Sequence, residues 1–271
     1  MRDVLPMSKR TLLIDGDILA YTAAVISEEV IAWGDDEDTV IADFGKAQRE
    51  VEKMIDRWKL ATCSDDHVIC LSSPDHHYFR HDIYPTYKAH RTSGRKPKLR
   101  HDVEKFLRDL GGVSYPNLEA DDVMGIMATA PGQDTHYVIA TNDKDLDQIP
   151  GLHLNMRKGE VSYVAALDAE KFFYQQALTG DPVDGFPGCP RVGPVRAKEL
   201  IAEHVTETCM GGESCAVVLD GVSLWAAIVN LYAHRGLDEQ HALTQARVAR
   251  ILQFQDYDQE TKEVRLWTPM T

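Results

Sequence analysis

YVIATNDKDLDQIPG, residues 137–151, joins an apolar run to a sudden cluster of acids. Tyr137, Val138, Ile139 and Ala140 have the continuous apolar character of a strand buried on both faces. Asp143, Asp145 and Asp147 follow at once. Solubility alone can make a surface loop acidic, but carboxylates directly after a buried strand lie where open α/β sheets place their ligands.

Two other segments repeat the pattern. Thr11–Ile14 runs into Asp15 and Asp17, and Val113–Tyr115 runs into Glu119, Asp121 and Asp122. Parallel strands end on one edge of a sheet, so these carboxylates are expected to meet in one crevice. Each motif alone has an ordinary explanation: DGD suits a turn, and the acids of EADD suit the first turn of a helix. Convergence at three strand ends changes that. Carboxylates packed together cannot all stay ionised without cations, because each raises the pKa of its neighbours. Oxygen-only donors select hard ions, Mg²⁺ or Mn²⁺, which meet phosphates. Two such ions about 4 Å apart activate water and stabilise the leaving oxygen of a phosphodiester.

The rest of the chain alternates strand and helix patterns. Strands are expected at 11–15, 67–71, 113–116, 136–140, 152–156 and 161–164. Helices are expected at 41–60 (Val51, Met54, Ile55 and Trp58 at helical spacing), 98–110, 118–130 and 168–180, where Gly180 closes the last. A Gly/Pro-rich turn at 181–193 opens a helix near Val195, and residues 222–254 read as two helices separated at Gly236. Residues 80–97, basic and broken by Pro85, Gly94 and Pro97, are expected to form a loop or helical lid. The fold class is therefore α/β, with a central, mostly parallel sheet flanked by helices and a helical C-terminal part.

Composition narrows the function. At 271 residues the chain has room for one large α/β domain with a smaller helical part. No apolar run reaches the length of a membrane span, and the first apolar run is too short for a signal peptide. The cysteines at 63, 70, 189, 209 and 215 include no metal-type pair, and their odd number speaks against a disulfide framework. A cytoplasmic setting is expected. The net charge of −14 weighs against nucleic acid, yet residues 80–100 hold seven Lys/Arg (Arg80, Lys88, Arg91, Arg95, Lys96, Lys98 and Arg100) against Asp82 alone. Acids concentrate instead at 28–38, 119–122, 143–147 and 181–184. A basic strip on an acidic protein fits a polyanion steered to one surface, and bound cations would offset the acids.

In order along residues 10–205, LLIDGD, YFRHDIYPTYKAHR, LEADDV, IATNDKDLDQ and LTGDPVDGFPGCPRVGPVRAKEL resemble the 5′-nuclease superfamily. That superfamily contains flap endonucleases, the 5′-nuclease domains of bacterial DNA polymerases, and phage 5′→3′ exonucleases. The length and the tail from Ser223 to Pro269 look most like the compact stand-alone phage enzymes. The resemblance implies a nuclease core at 1–180, with a helical arch at 78–110. It also implies a helical part at 181–271, with a helix–turn–helix DNA-binding element at 181–205. It places Asp15, Glu119, Asp121 and Asp122 at one metal position and Asp143, Asp145, Asp181 and Asp184 around the other. Lys88 would contact the scissile phosphate, making Lys88, Asp15, Asp121 and Asp143 the catalytic set. Arg80 and Arg91 would grip neighbouring phosphates, and Tyr87 would stack on a base. Gly188 and Gly193 would bring backbone N–H groups to the duplex, with Arg191, Arg196 and Lys198 supplying charge. The turn would also suit a K⁺ ion held by carbonyls.

One departure stands out. Many relatives have an aspartate after the second strand; here Ser72 and Ser73 lie near that position and Asp75 follows. His76, His77 and His81 are expected to be exposed or to face phosphate. The implied function is metal-dependent hydrolysis of DNA from 5′ ends by a monomer in the cytoplasm of a bacterial host. Substrates would be duplex ends, nicks or 5′ flaps, with RNA–DNA hybrids and replication proteins as further partners. One rival reading is a protein of the same fold that binds branched DNA without cutting it. A haloacid-dehalogenase-type phosphatase is a second; it would use Asp15 as nucleophile and Asp17 as general acid, leaving EADD and the basic strip without a role. A PIN-type ribonuclease, which shares the carboxylate logic but would be shorter and lack the turn at 185–193, is a third.

Overall fold

Alternation along the first strand organises the molecule. In β1 (Arg10–Asp15), Leu12 and Ile14 face one helical layer while Leu13 faces the other. The computed structural model describes residues 9–33, 39–91, 95–132, 136–209 and 215–270. The acids at 35–38 and Gly94 lie outside them.

β1 leads directly into α1 (Gly16–Ser27). A short antiparallel hairpin follows, β2 (Glu28–Ile31) with β3 (Thr39–Ala42), and then α2 (Phe44–Thr62) and β4 (Asp66–Cys70). Next come α3 (Phe79–Ile83), α4 (Arg100–Asp109), α5 (Ala120–Ala128) and β5 (His136–Thr141). A 3₁₀ turn at Lys144–Gln148 leads to β6 (Gly151–Asn155) and β7 (Val161–Val164). The sheet order is β4-β1-β5-β6-β7; the first four strands are parallel, and β7 is an antiparallel edge. Beyond it lie α6 (Ala166–Thr179), α7 (Pro194–Ala202), the hairpin β8 (Val205–Cys209) and β9 (Cys215–Leu219), α8 (Gly221–Ala233) and α9 (Glu239–Ala249).

One face of the sheet is covered by α1, α2 and α4 through Leu19, Ala23, Val51, Trp58 and Leu107. The other is covered by α5 and the segment at 251–252. Trp58 is fixed there by donating its indole N–H to the Met156 carbonyl at 3.1 Å. The helices α6 to α9 build a separate apolar cluster around Trp225 and Tyr232.

Several sequence expectations change. Residues 113–116 form only a single bridge, Val113 to Cys70, because the chain touches the edge of β4 and then turns into α5. The expected arch at 78–110 is interrupted: α4 buries Val103 and Leu107 in the main core. The two hairpins were not anticipated, and β8–β9 makes the C-terminal part mixed rather than all-helical.

Candidate active site

The carboxylates gather where the parallel strands end. Asp15, the last residue of β1, caps α1 by accepting the Ile18 N–H at 3.0 Å. Its other oxygen accepts the Thr141 hydroxyl at 2.9 Å, and the Thr141 oxygen accepts the Asp143 N–H at 3.0 Å. Thr141 thus ties the ends of β1 and β5 together. Gly16 makes this junction possible, since a Cβ there would stand 2.6 Å from the Cys70 carbonyl oxygen. Burial, reinforced by the Asp17 charge, pushes the Asp15 carboxyl up to about 7. Asp121, in the first turn of α5, accepts no hydrogen bond among the described residues. Burial and then the charges of Asp15, Asp143 and Glu119 raise it well above the usual carboxylate range.

Glu119 is the opposite case. One of its oxygens accepts from Lys88 Nζ at 2.6 Å, the other from Arg80 at 2.9 Å and the Tyr87 hydroxyl at 2.8 Å. Burial alone would raise its pKa, but the Lys88 and Arg80 charges outweigh that and hold it at about 2. Lys88, in a left-handed backbone conformation (φ 54°), donates its own N–H to the Asp184 carbonyl at 2.8 Å. Its ammonium is also shared with Asp184 at 3.6 Å. Burial lowers its pKa, but the two carboxylates raise it more, so Lys88 is charged at neutral pH.

A second set lies alongside. Asp145 accepts from Gln176 at 2.7 Å, and burial with the charges of Asp143, Asp184 and Asp181 lifts it to about 7. Asp181 accepts from Lys144 Nζ at 3.0 Å and from the Val183 N–H at 2.7 Å. Asp184 accepts from Arg91 at 2.6 Å and lies 3.0 Å from the Tyr87 hydroxyl, which shares its single proton with the nearer Glu119 oxygen. Asp17 faces Ser72, whose hydroxyl donates to it at 2.5 Å while accepting the Ala120 N–H that opens α5.

Four expected roles do not survive this geometry. Arg80 is only 2% exposed. All five of its N–H groups are used inside the chain: on Glu119, twice on Asp122, and on the carbonyls of Val248 and Arg250. It has no donor left for a phosphate. Asp122, fully buried, is occupied by Arg80 and by the N–H groups of Leu252 and Glu119, so it has no free edge for a metal ion. Tyr87 is buried with its ring against Lys88 and Arg80, so it cannot stack on a base. The Gly188 N–H donates to Gln245 at 2.8 Å and does not face a duplex.

Arg91 sits at the rim of the site. Gly193 caps the start of α7, and Arg191, Arg196 and Lys198 are exposed around it. Asp75 is exposed and accepts from the Ser73 hydroxyl at 2.8 Å, turned toward its own loop. His77 lies 3.0 Å from Asp82 and stacks on His81. Among the described residues, no three acids, histidines or cysteines close into a ready-made metal cage. Thr141, Lys144 and Gln176 were missed in the sequence, while Ser72 stood out only for occupying the place of an aspartate. Only Lys144 and Thr141 carried a signal, as neighbours of the acids in IATNDKD.

Comparison with known proteins agrees with this architecture. The family described as 5′-3′ exonuclease, N-terminal resolvase-like domain, matches residues 10–176. The chain is 28% identical to the exodeoxyribonuclease of Enterobacteria phage T3, over 96% of this chain and 93% of that protein. It is 27% identical to the exonuclease of Escherichia phage T7, over 96% and 94%. Among solved structures, the T5 5′-exonuclease with divalent zinc ions bound superposes with a TM-score of 0.59 at 15% identity, covering 89% of both chains. This last likeness bears on the fold.

Proposed function

We propose, for a chain that belongs to the 5′-3′ exonuclease family, that the row of carboxylates at the strand ends holds divalent cations and hydrolyses DNA from 5′ ends. The chain is a phosphodiester hydrolase of the 5′→3′ type. The observation that carries the metal reading is Asp121: a half-buried carboxylate facing the buried Asp15 and Glu119, with no hydrogen bond of its own among the described residues. Buried charge of one sign demands a counter-charge, and oxygen donors suit Mg²⁺ or Mn²⁺. Such ions keep several waters and share the substrate's phosphates, so no closed protein cage is needed. The acids run as one row, Asp15 and Asp121 at one end and Asp145, Asp181 and Asp184 at the other, with Asp143 acting on both ends. A row of this length has room for two ions. The chemistry they supply when bound is activation of the attacking water and stabilisation of the leaving oxygen.

The remaining residues bind and orient. Lys88 presents a permanent positive charge beside Glu119, where a phosphate oxygen can replace the carboxylate as its partner. Arg80 and Tyr87 hold Glu119 and Asp184 in place from behind. Arg91 at the rim, and Arg191, Arg196 and Lys198 around the start of α7, meet backbone phosphates of the duplex. These contacts read charge and not bases, so cleavage is indifferent to sequence.

The test is Mg²⁺-dependent digestion of one duplex labelled at either the 5′ or the 3′ end, with a 5′-flap duplex alongside. Short 5′-labelled products with stepwise shortening of the 3′-labelled strand are expected. Replacing Asp143 or Asp121 with Ala should abolish cleavage and leave DNA binding intact. Full activity in these variants, or cleavage undiminished in EDTA, would overturn the metal reading.

A further inference from the structure

A relay of buried amides runs from the C-terminal segment to Asp145. We infer that Gln176 and Gln148 are positioning residues for the cation site, an inference that rests on Asp145 being an ion-holding group. The Ile251 N–H donates to Gln148 Oε1 at 3.1 Å. Gln148 Nε2 donates to the Ala249 carbonyl at 2.6 Å and to Gln176 Oε1 at 2.5 Å. Gln176 Nε2 then donates to Asp145 Oδ1 at 2.7 Å. Both glutamines are buried, at 2% and 4% exposure, so water cannot stand in for a missing partner.

The polarity of this relay is forced. A backbone N–H can only donate, so Gln148 must turn its oxygen to Ile251. Its nitrogen then faces Gln176, which must answer with oxygen, and the Gln176 nitrogen is left facing Asp145. A fixed backbone group thereby delivers a donor to one oxygen of Asp145. The other oxygen, with no hydrogen-bond partner among the described residues, is left for a cation.

The choice of an amide matters. A lysine or arginine at 176 would neutralise the carboxylate and compete with the cation; a neutral donor orients it and leaves its charge available. A glutamate would repel it. The same segment, 248–252, also holds Arg80 and Asp122, so one stretch of chain backs both halves of the site.

The test is Mn²⁺ binding to the full chain without DNA, read from the electron paramagnetic resonance of free Mn²⁺. The set is wild type, Gln176→Met, Asp145→Asn and the double variant. Gln176→Met is expected to weaken Mn²⁺ binding about 10–100-fold. It should add nothing in the Asp145→Asn background, and duplex binding in EDTA should stay unchanged. Wild-type Mn²⁺ affinity in Gln176→Met, with affinity abolished in Asp145→Asn, overturns the positioning role. So does an equal loss in both backgrounds. Wild-type affinity in Asp145→Asn overturns the ion-holding reading of Asp145 itself. Should Gln176→Met fail to fold, Gln148→Met breaks the relay one bond further back, and a smaller loss in the same direction is expected; no loss overturns the inference.

Discussion

Lys88 and Arg80 stand eight residues apart in the same basic strip, yet they do opposite things. Lys88 keeps its charge at the mouth of the site, 19% exposed in its side chain and paired with Glu119. Truncation to Ala is expected to slow single-turnover cleavage about 10²–10³-fold with a much smaller change in duplex affinity. Weakened affinity with normal turnover would make Lys88 a gripping residue only. Arg80 is structural. Arg80→Met strands Asp122 and the Val248 and Arg250 carbonyls, and should destabilise the fold by about 3–5 kcal/mol in urea unfolding. An unchanged midpoint would refute the buried network. The sequence showed both residues as cations near a tyrosine. Which one is buried depends on α3 packing against α9, and that contact is not local.

At the scale of elements, the loop between α6 and α7 turns on two glycines in close contact. Gly188 has φ 65°, and a Cβ on it would stand 2.2 Å from the Gly180 nitrogen. Gly188→Ala is therefore expected to lower the thermal midpoint clearly, while Gly193→Ala, with open space around it, should not. Equal effects would contradict the close approach. The exposed charges beside this loop are separable from the chemistry. Neutralising Arg191 or Lys198 should reduce the slope of log affinity against log salt by about 0.9 for each phosphate that is no longer neutralised. An unaltered slope would remove that residue from the interface. The hairpins β2–β3 and β8–β9 escaped the sequence reading because EEVI and VTETC lack the apolar runs that marked the central strands. Helix α4 was legible as a helix; its place in the core, not over the site, was not.

At the scale of the molecule, the acid cluster sets a pH response. Asp15 and Asp145 rise from 3.8 in the unfolded chain to about 7 in the folded one. Between those values the folded chain holds protons that the unfolded chain has released, so stability falls as pH rises. His67 and His153 act in the opposite sense, since burial lowers them, while Asp17, Asp121, Asp147 and Glu170 are raised like Asp15 and Asp145. In EDTA the thermal midpoint is expected to drop between about pH 5 and pH 8, and Mg²⁺ should restore more of it at the higher pH. A flat profile in EDTA would mean that burial and the neighbouring charges do not hold these carboxyls up as the geometry implies.

The sequence by itself determined the alternating architecture, the strand ends where acids collect, and the ordered motifs that mark the family. These are written in short windows, because a buried strand and the loop after it are adjacent in the chain. Only the tertiary structure decided which acids are free and which are consumed. Asp121 and Asp122 are neighbours in sequence; one faces other carboxylates, and the other is sealed by Arg80 and Leu252. The deciding partners lie 42 and 130 residues away. Helix periodicity turns adjacent side chains about 100° apart, and what meets each of them is set by packing.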